Sequence, residues 1–398
     1  MIPEIRKNFN NAFTPEKYET FKQGLQEMYN HKPNFREAET PFFIPATLKE
    51  KLLAACDEIT ELILRPDLKQ ISQGALYDES IIVPGEDEHT TFLQMDFGIC
   101  LDDNGDPFPM LIEIQGFPSV YFFQYMATIA YKKYYDLPAN LTPYFNGYNE
   151  ASFKKMMYEI IVGDSDPQNV VLLEIEPELQ NTYIDLLATS VELGIPVVCV
   201  TKVLKEGKKL YYIDKNGDKQ KIEKIYNRVI FDELEQRTDL KMQFKFTDDL
   251  EVKWVGHPNW FFRISKYIMP YLKSRFVPET LFLHELKELP SDLENYVLKP
   301  LFSFAGAGVI IDVAKEDIEA IENKSNYILQ RKVNYEPVLK SPNDPVKVEL
   351  RMLMLWPEKD DRPHVAVNLV RLSKGKMIGV KYNKDKDWVG GSVGLYEG

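Results

Sequence analysis

"ENYVLKPLFSFAGAGVIIDV", residues 294–313, decides how this chain is read. An aliphatic run ends in Lys299-Pro300, passes through Phe302-Ser303-Phe304-Ala305-Gly306-Ala307-Gly308, and resumes as Val309-Ile310-Ile311. Strand-forming residues on both sides of two glycines describe a hairpin, because Gly306 and Gly308 can supply the positive φ of a turn. The same composition describes a phosphate clamp. Small residues let backbone N–H groups approach phosphate oxygens, and the nearby lysine adds a point charge. Neither standard phosphate fingerprint is present: the stretch is not G-x-x-x-x-G-K-[ST], nor G-x-G-x-x-G between strand and helix. A nucleotide bound here would lie under a glycine-rich flap between two strands. The choice between hairpin and clamp rests on the rest of the chain.

Composition narrows the classes. The 398 residues are long enough to bury a large core in two or three lobes. Hydrophobic residues make up 44% and charged residues 27%, the profile of a soluble globular protein. The net charge of -13 argues against a nucleic-acid partner, which wants a basic field, but leaves room for one small anion held by local cations. Cys56, Cys100 and Cys199 lie far apart in apolar surroundings and read as core thiols. No apolar run has membrane-spanning length and the N-terminus lacks a signal-peptide core, so a reducing cytoplasm is the expected location.

The pattern along the chain is mixed. ATLKEKLLAACDEITELIL repeats apolar residues at three- and four-residue steps, an amphipathic helix. TFLQMDFGICL and FPMLIEIQ are strands separated by a segment containing Asn104-Gly105, a strong hairpin signal. FFQYMATIAYKKYY follows as a helix. NVVLLEIE, NTYIDLLATSVELG and IPVVCVT form a strand-helix-strand unit with parallel pairing and a right-handed crossover. KKLYYIDKNGDKQKIEKIYNRV turns at Asn216-Gly217, and NWFFRISKYIMPYLK reads as one aromatic-rich helix. The last third is strand-rich: YVLKPL, GVIIDV, YILQRKV, VKVELRMLMLW and HVAVNLVRL. The expected architecture is α+β with one doubly wound sub-region.

Several constellations carry chemistry. If the first two strands pair, Glu113 and Gln115 share a face and Asp96 can join them, an oxygen set suited to a hard cation. The same residues also fit a solvated hairpin face. Asp102, Asn104, Asp106 and Glu113 have calcium-loop spacing, but Pro107 stands where glycine is required. Asp214, Asn216 and Asp218 repeat the fragment with Ile225 at the twelfth position; both read as turns. Lys266 reads as a snorkelling lysine on its helix, while Arg351 and Arg371 read as exposed strand residues. The charge run LKEGKK reads as a solvated loop.

The order of the pieces adds a resemblance. VLLEIEPELQNTYIDLLATSVELGIPVVCV, IYNRVIFDEL, the SKYIMP segment and YVLKPLFSFAGAGV together resemble the synthetase domain of glutathionylspermidine synthase, a circularly permuted branch of the ATP-grasp superfamily. MDFGICLDDNGDPFPMLIEIQGFPS is similar to that family's signature, in which an Asp on one strand precedes a Glu-x-Asn; here Glu113-Ile114-Gln115 comes before the glycine-rich loop, as permutation requires. The resemblance covers most of the chain from about Phe92 onward. It implies an ATP-grasp-like, circularly permuted α+β fold. Residues 1–160 would combine a helical N-terminal segment with the metal-site strands. Residues 161–245 would form a Rossmann-like βαβ pre-ATP-grasp region, and residues 246–398 the nucleotide lobe.

The activity implied is that of an ATP- and Mg2+-dependent ligase, joining a small-molecule or peptide-like carboxylate to an amine through an acylphosphate. Asp96, Glu113 and Gln115 would hold magnesium. Lys266 and Lys299 would contact ATP, with Ser303, Phe304, Ala305, Gly306, Ala307 and Gly308 in the flap. Gln330, Arg331, Lys332 and Val333 would hold adenine, with Arg351 and Arg228 as catalytic cations. The chain departs from the family where Gln94 replaces an arginine and Gln115 replaces Asn, and it has no amidase domain, so glutathione and spermidine do not carry over as substrates. Two other readings stand beside the ligase. One is a nucleotide-binding protein without turnover; the other is a scaffold whose Asp96, Glu113 and Lys299 face water separately.

Overall fold

The hairpin around Asn104-Gly105 organises the fold. In the computed structural model, which describes residues 1–303, 306–379 and 382–398, strands Phe92–Leu101 and Pro107–Gln115 pair antiparallel. Asp102 closes their turn by accepting hydrogen bonds from the Asn104 and Asp106 N–H groups, each at 3.0 Å. Asp214 does the same for Asn216 and Asp218 at 2.8 and 2.9 Å. Both calcium-loop fragments are therefore aspartate-stabilised turns.

Three further strands complete an antiparallel sheet in the order Gly390–Ser392, His364–Ser373, Lys347–Leu355, Phe92–Leu101, Pro107–Gln115. Residues from the two ends of the chain thus share one sheet, with Arg351 opposite Asp96 and Gln94 opposite Gln115. Side chains alternate across it. Leu93, Met95, Phe97, Leu350, Met352 and Met354 join residues of helices Ala46–Ile63 and Tyr121–Tyr134 in the main core. The opposite set on the central strands carries the polar residues Gln94, Asp96, Glu349 and Arg351, together with Gly98 and Leu353. A bulge keeps the edge strand in phase. Asp96 faces Glu113 and Phe97 faces Leu111, so Ile112 has no partner in the register.

Among the described residues four smaller sheets accompany this one, of which one carries Glu174 and another Lys299. Lys253–Val255, Lys224–Asn227, Val170–Glu174 and Val197–Cys199 form a parallel sheet in that order. Helix Tyr183–Leu193, closed by Gly194 at φ +72°, connects two of these strands as expected. Thr280–Phe282, Tyr327–Arg331 and Tyr296–Pro300 form an antiparallel sheet.

Three local expectations are corrected. LKEGKK is no loop: Leu204–Glu206 and Lys209–Ile213 pair about Gly207, because their alternation buries Leu210 and Tyr212. The strand after the glycine-rich stretch reduces to a bridge between Leu298 and Ile310. The aromatic-rich helix breaks into Asn259–Arg263 and a tight 3-10 segment, Lys266–Tyr271. Pro270 lacks the N–H that a continuous helix would use, and the Ser265 hydroxyl accepts from Tyr267 N to start the second piece. The break frees the Ile264 carbonyl to accept from Gly116 N at 2.7 Å and buries Lys266 to 7% exposure, so Lys266 does not snorkel. Among the described residues, no helix is long and apolar enough to cross a membrane.

Candidate functional site

The bulge at Ile112 is where the late Lys-Pro strand meets the early hairpin. Lys299 donates to the Ile112 carbonyl at 3.1 Å and to the Gln330 side-chain oxygen. Gln330 in turn donates to the Thr280 hydroxyl at 3.2 Å, which ties the lysine to the small antiparallel sheet. Lys266 donates to the Ser303 carbonyl at 2.5 Å and lies 3.5 Å from Glu113. Glu113, Lys266 and Ser303 belong to the lining of a cleft enclosing about 450 Å³, its open mouth included, together with Gln115, Phe117 and Asp232, among others; Lys299 interacts electrostatically with Glu113 and Lys266 but is not part of that lining. The Ser303 hydroxyl is buried there without a hydrogen-bond partner. Burial lowers the Lys299 ammonium to about 8; Glu113 opposes that shift and Lys266 adds to it.

Asp96 is committed to arginine. Its two oxygens accept from Arg351 Nε and Nη2 at 2.6 and 2.7 Å, and Arg371 also donates to Oδ2. Burial opposes the Asp96 charge, yet the two guanidiniums hold the carboxyl below its ordinary range. Arg351 reaches on to the Gln94 side-chain oxygen at 3.1 Å, so a cation stands beside Gln94. Arg371 pairs with Glu349, whose other oxygen accepts from the Tyr335 hydroxyl. Gly98 makes room for Tyr335, whose ring would lie 2.8 Å from a Cβ at that position.

The donor set does not suit magnesium. Asp96 has both oxygens taken by guanidinium groups, Glu113 has Lys266 beside it, and Gln115 is neutral. Among the described residues, no group of three His, Cys, Asp or Glu side chains is arranged to hold a metal ion. Around the cleft Asp96, Glu113, Glu349 and Asp232 are balanced by Lys266, Lys299, Arg351 and Arg371, so the carboxylates already have cations beside them before any metal is added.

The other expected residues divide. Gly306 and Gly308 adopt φ +75° and +71°, and a Cβ on Gly308 would come 2.9 Å from Pro300. Ala307 lies between them, while Phe304 and Ala305 fall outside the described residues. Val333 packs near the hairpin, its Cγ1 3.1 Å from a Cβ built on Gly98. Arg331 and Lys332 turn away: Arg331 pairs with Asp292 at 3.2 Å, and Lys332 with Asp312 at 3.0 Å. Arg228 lies apart from Lys299, at the end of the parallel sheet. It is 3% exposed and donates to Asp185 at 2.6 Å. Asp185 also accepts from Val120 N and Phe123 N, at 3.2 and 2.9 Å, so Arg228 supports the turn that leaves the hairpin.

Beside Arg228 on the parallel sheet, burial lifts the Glu174 carboxyl to about 8 against the pull of the guanidinium. A proton retained in the folded state stabilises below the unfolded carboxylate range, and that contribution is lost as pH rises through the folded value. Glu174→Gln should therefore gain stability relative to the parent between about pH 5 and pH 9. Urea midpoints at the two pH values check it, and parallel shifts in the two proteins would refute it.

Arg351 and Arg371 are not the exposed strand residues expected, since Arg351 is buried and both pair with Asp96; Glu349 and Tyr335 are site residues that the sequence pattern does not single out. The two-residue spacing of Glu349 and Arg351 on one strand was the available signal, since it puts both on the face of Asp96.

Neither a family model nor a curated protein matches the sequence. Among solved structures, a glutathione synthetase-like effector (GSS30) from Globodera pallida, in apo form, superposes over 96% of both chains with a TM-score of 0.58 at 9% identity. A protein described as a gamma-glutamylcysteine synthetase, from Methylobacillus flagellatus, aligns over 86% of both chains at 14% identity, with a TM-score of 0.42 that carries no argument. The chain therefore shares its fold with a glutathione synthetase-like protein, and the likeness extends over nearly its whole length.

Proposed function

We propose that the chain is an ATP-dependent ligase that joins a carboxylate to an amine, with the nucleotide in the cleft between the hairpin and the Lys299 strand. One observation carries the reading: Lys299, on a different sheet, reaches the bulged carbonyl beside Glu113, with Lys266 and the unpartnered Ser303 hydroxyl at the same cleft. The synthetase-like fold supports it. In this reading Lys299 and Lys266 bind the triphosphate, and the glycine-rich segment covers it. The substrate carboxylate oxygen attacks the γ-phosphorus, the bond to the bridging oxygen breaks, and ADP leaves. The amine then attacks the acylphosphate carbon and expels phosphate. Charge on the transferred group is met by Lys299, Arg371 and Arg351, and the closed cleft keeps water from the acylphosphate.

A second reading, a nucleotide-binding protein without turnover, is favoured by the saturation of Asp96 by two arginines. ADP release with a panel of amino acids, short peptides and polyamines separates the two. The ligase reading expects sustained ADP release only when an acid and an amine are both present, and at most about one equivalent with the acid alone. Bound ATP with no ADP from any pair would leave the second.

A further inference from the structure

We infer that the cleft is an anion site that needs no divalent cation, with Arg351 and Arg371 fixed where a metal would otherwise neutralise Asp96, and that it takes a phosphorylated ligand through the donors left over. The identity of that ligand as ATP rests on the proposed function; metal independence rests on the ion-pair geometry alone.

Asp96 is 2% exposed and Glu349 3%, so a metal reaching either must first displace guanidinium groups held on the sheet. Arg351 grips Asp96 through two parallel N–H bonds, the strongest fork that this pair of groups can make. Arg371 spans Asp96 and Glu349 from the neighbouring strand, directly opposite Glu349 in the register. A divalent ion would leave both guanidiniums desolvated beside it with no carboxylate to answer them. Glu113, which faces the cleft, already has Lys266 at 3.5 Å.

The spare donors point the other way. An ammonium has three N–H groups. Lys299 gives one to Ile112 and one to Gln330, and Lys266 gives one to Ser303 and faces Glu113 with another. Each keeps a donor. Arg371 is the part-exposed arginine of the network, 36% of its side chain being exposed, and its Nε is buried without a hydrogen-bond partner. Together with the unpartnered Ser303 hydroxyl, these are donors without acceptors, which is what phosphoryl oxygens supply.

The test uses the unmodified chain. Mn2+ is titrated by electron paramagnetic resonance, and ATP and inorganic tripolyphosphate by calorimetry, each in EDTA and in excess Mg2+. The expected results are no Mn2+ site tighter than about millimolar, and anion affinities in EDTA and Mg2+ within about threefold of each other. Arg371→Gln should weaken tripolyphosphate roughly tenfold. A tight Mn2+ site that Asp96→Asn removes would overturn the inference. So would anion binding that requires Mg2+, although ATP binding under that condition would leave the proposed function standing. Tripolyphosphate bound without Mg2+, with no preference for ATP, would uphold the inference and sink the nucleotide reading. Failure of both anions in both buffers would overturn the two together.

Discussion

Replacing Lys299 with methionine should weaken ATP binding roughly ten- to a hundredfold, the equivalent of one lost charge-assisted hydrogen bond. Methionine keeps the length and apolar body of the side chain, so the strand Tyr296–Pro300 and its packing should persist. What disappears is the ammonium that bridges Ile112, on the hairpin, to Gln330, on the small sheet. Two effects then act together: a cation beside Glu113 is lost, and the hairpin and the small sheet lose a shared contact. Calorimetry on the parent and variant, with circular dichroism to confirm the fold, checks the prediction. Equal affinities would remove Lys299 from the site.

Asp96→Asn should be strongly destabilising although it is a conservative change. The substitution keeps the shape but removes the charge that answers Arg351 and Arg371 in a site where Asp96 is 2% exposed. Breaking one side of a buried ion pair leaves the other uncompensated, at a loss of about 3 kcal/mol. Arg371 retains Glu349, while Arg351 is left with Gln94 and the new amide. A urea denaturation midpoint well below that of the parent, with an unchanged slope, is the expected result. Unchanged stability would mean that the arginine network contributes no more than a surface pair does.

Much of this frame was legible because its signals are local. Asn104-Gly105 flanked by alternating strands announced the hairpin, and Gly194 after an amphipathic run announced the crossover of the parallel sheet. Lys299 stood out because its strand ends in small residues. What stayed hidden depends on register between distant segments. Arg351 sits opposite Asp96 only because residues far apart in sequence pair in that phase, so no local pattern revealed that both carboxylate oxygens were taken. The bulge at Ile112, which supplies Lys299 with a carbonyl, has no signature in MLIEIQ. Lys266 would be a surface lysine on a continuous helix; the break before it turns the side chain inward. The second flap strand failed for the opposite reason, as good strand residues found a single bridge in place of a ladder.

A crystal structure with a non-hydrolysable ATP analogue tests the central claim most directly. The account predicts the triphosphate between the hairpin and the Lys-Pro strand, with phosphoryl oxygens in hydrogen-bond reach of the Lys299 and Lys266 ammonium groups. A nucleotide seated elsewhere on the molecule, with both lysines still bonded only to protein, would contradict it.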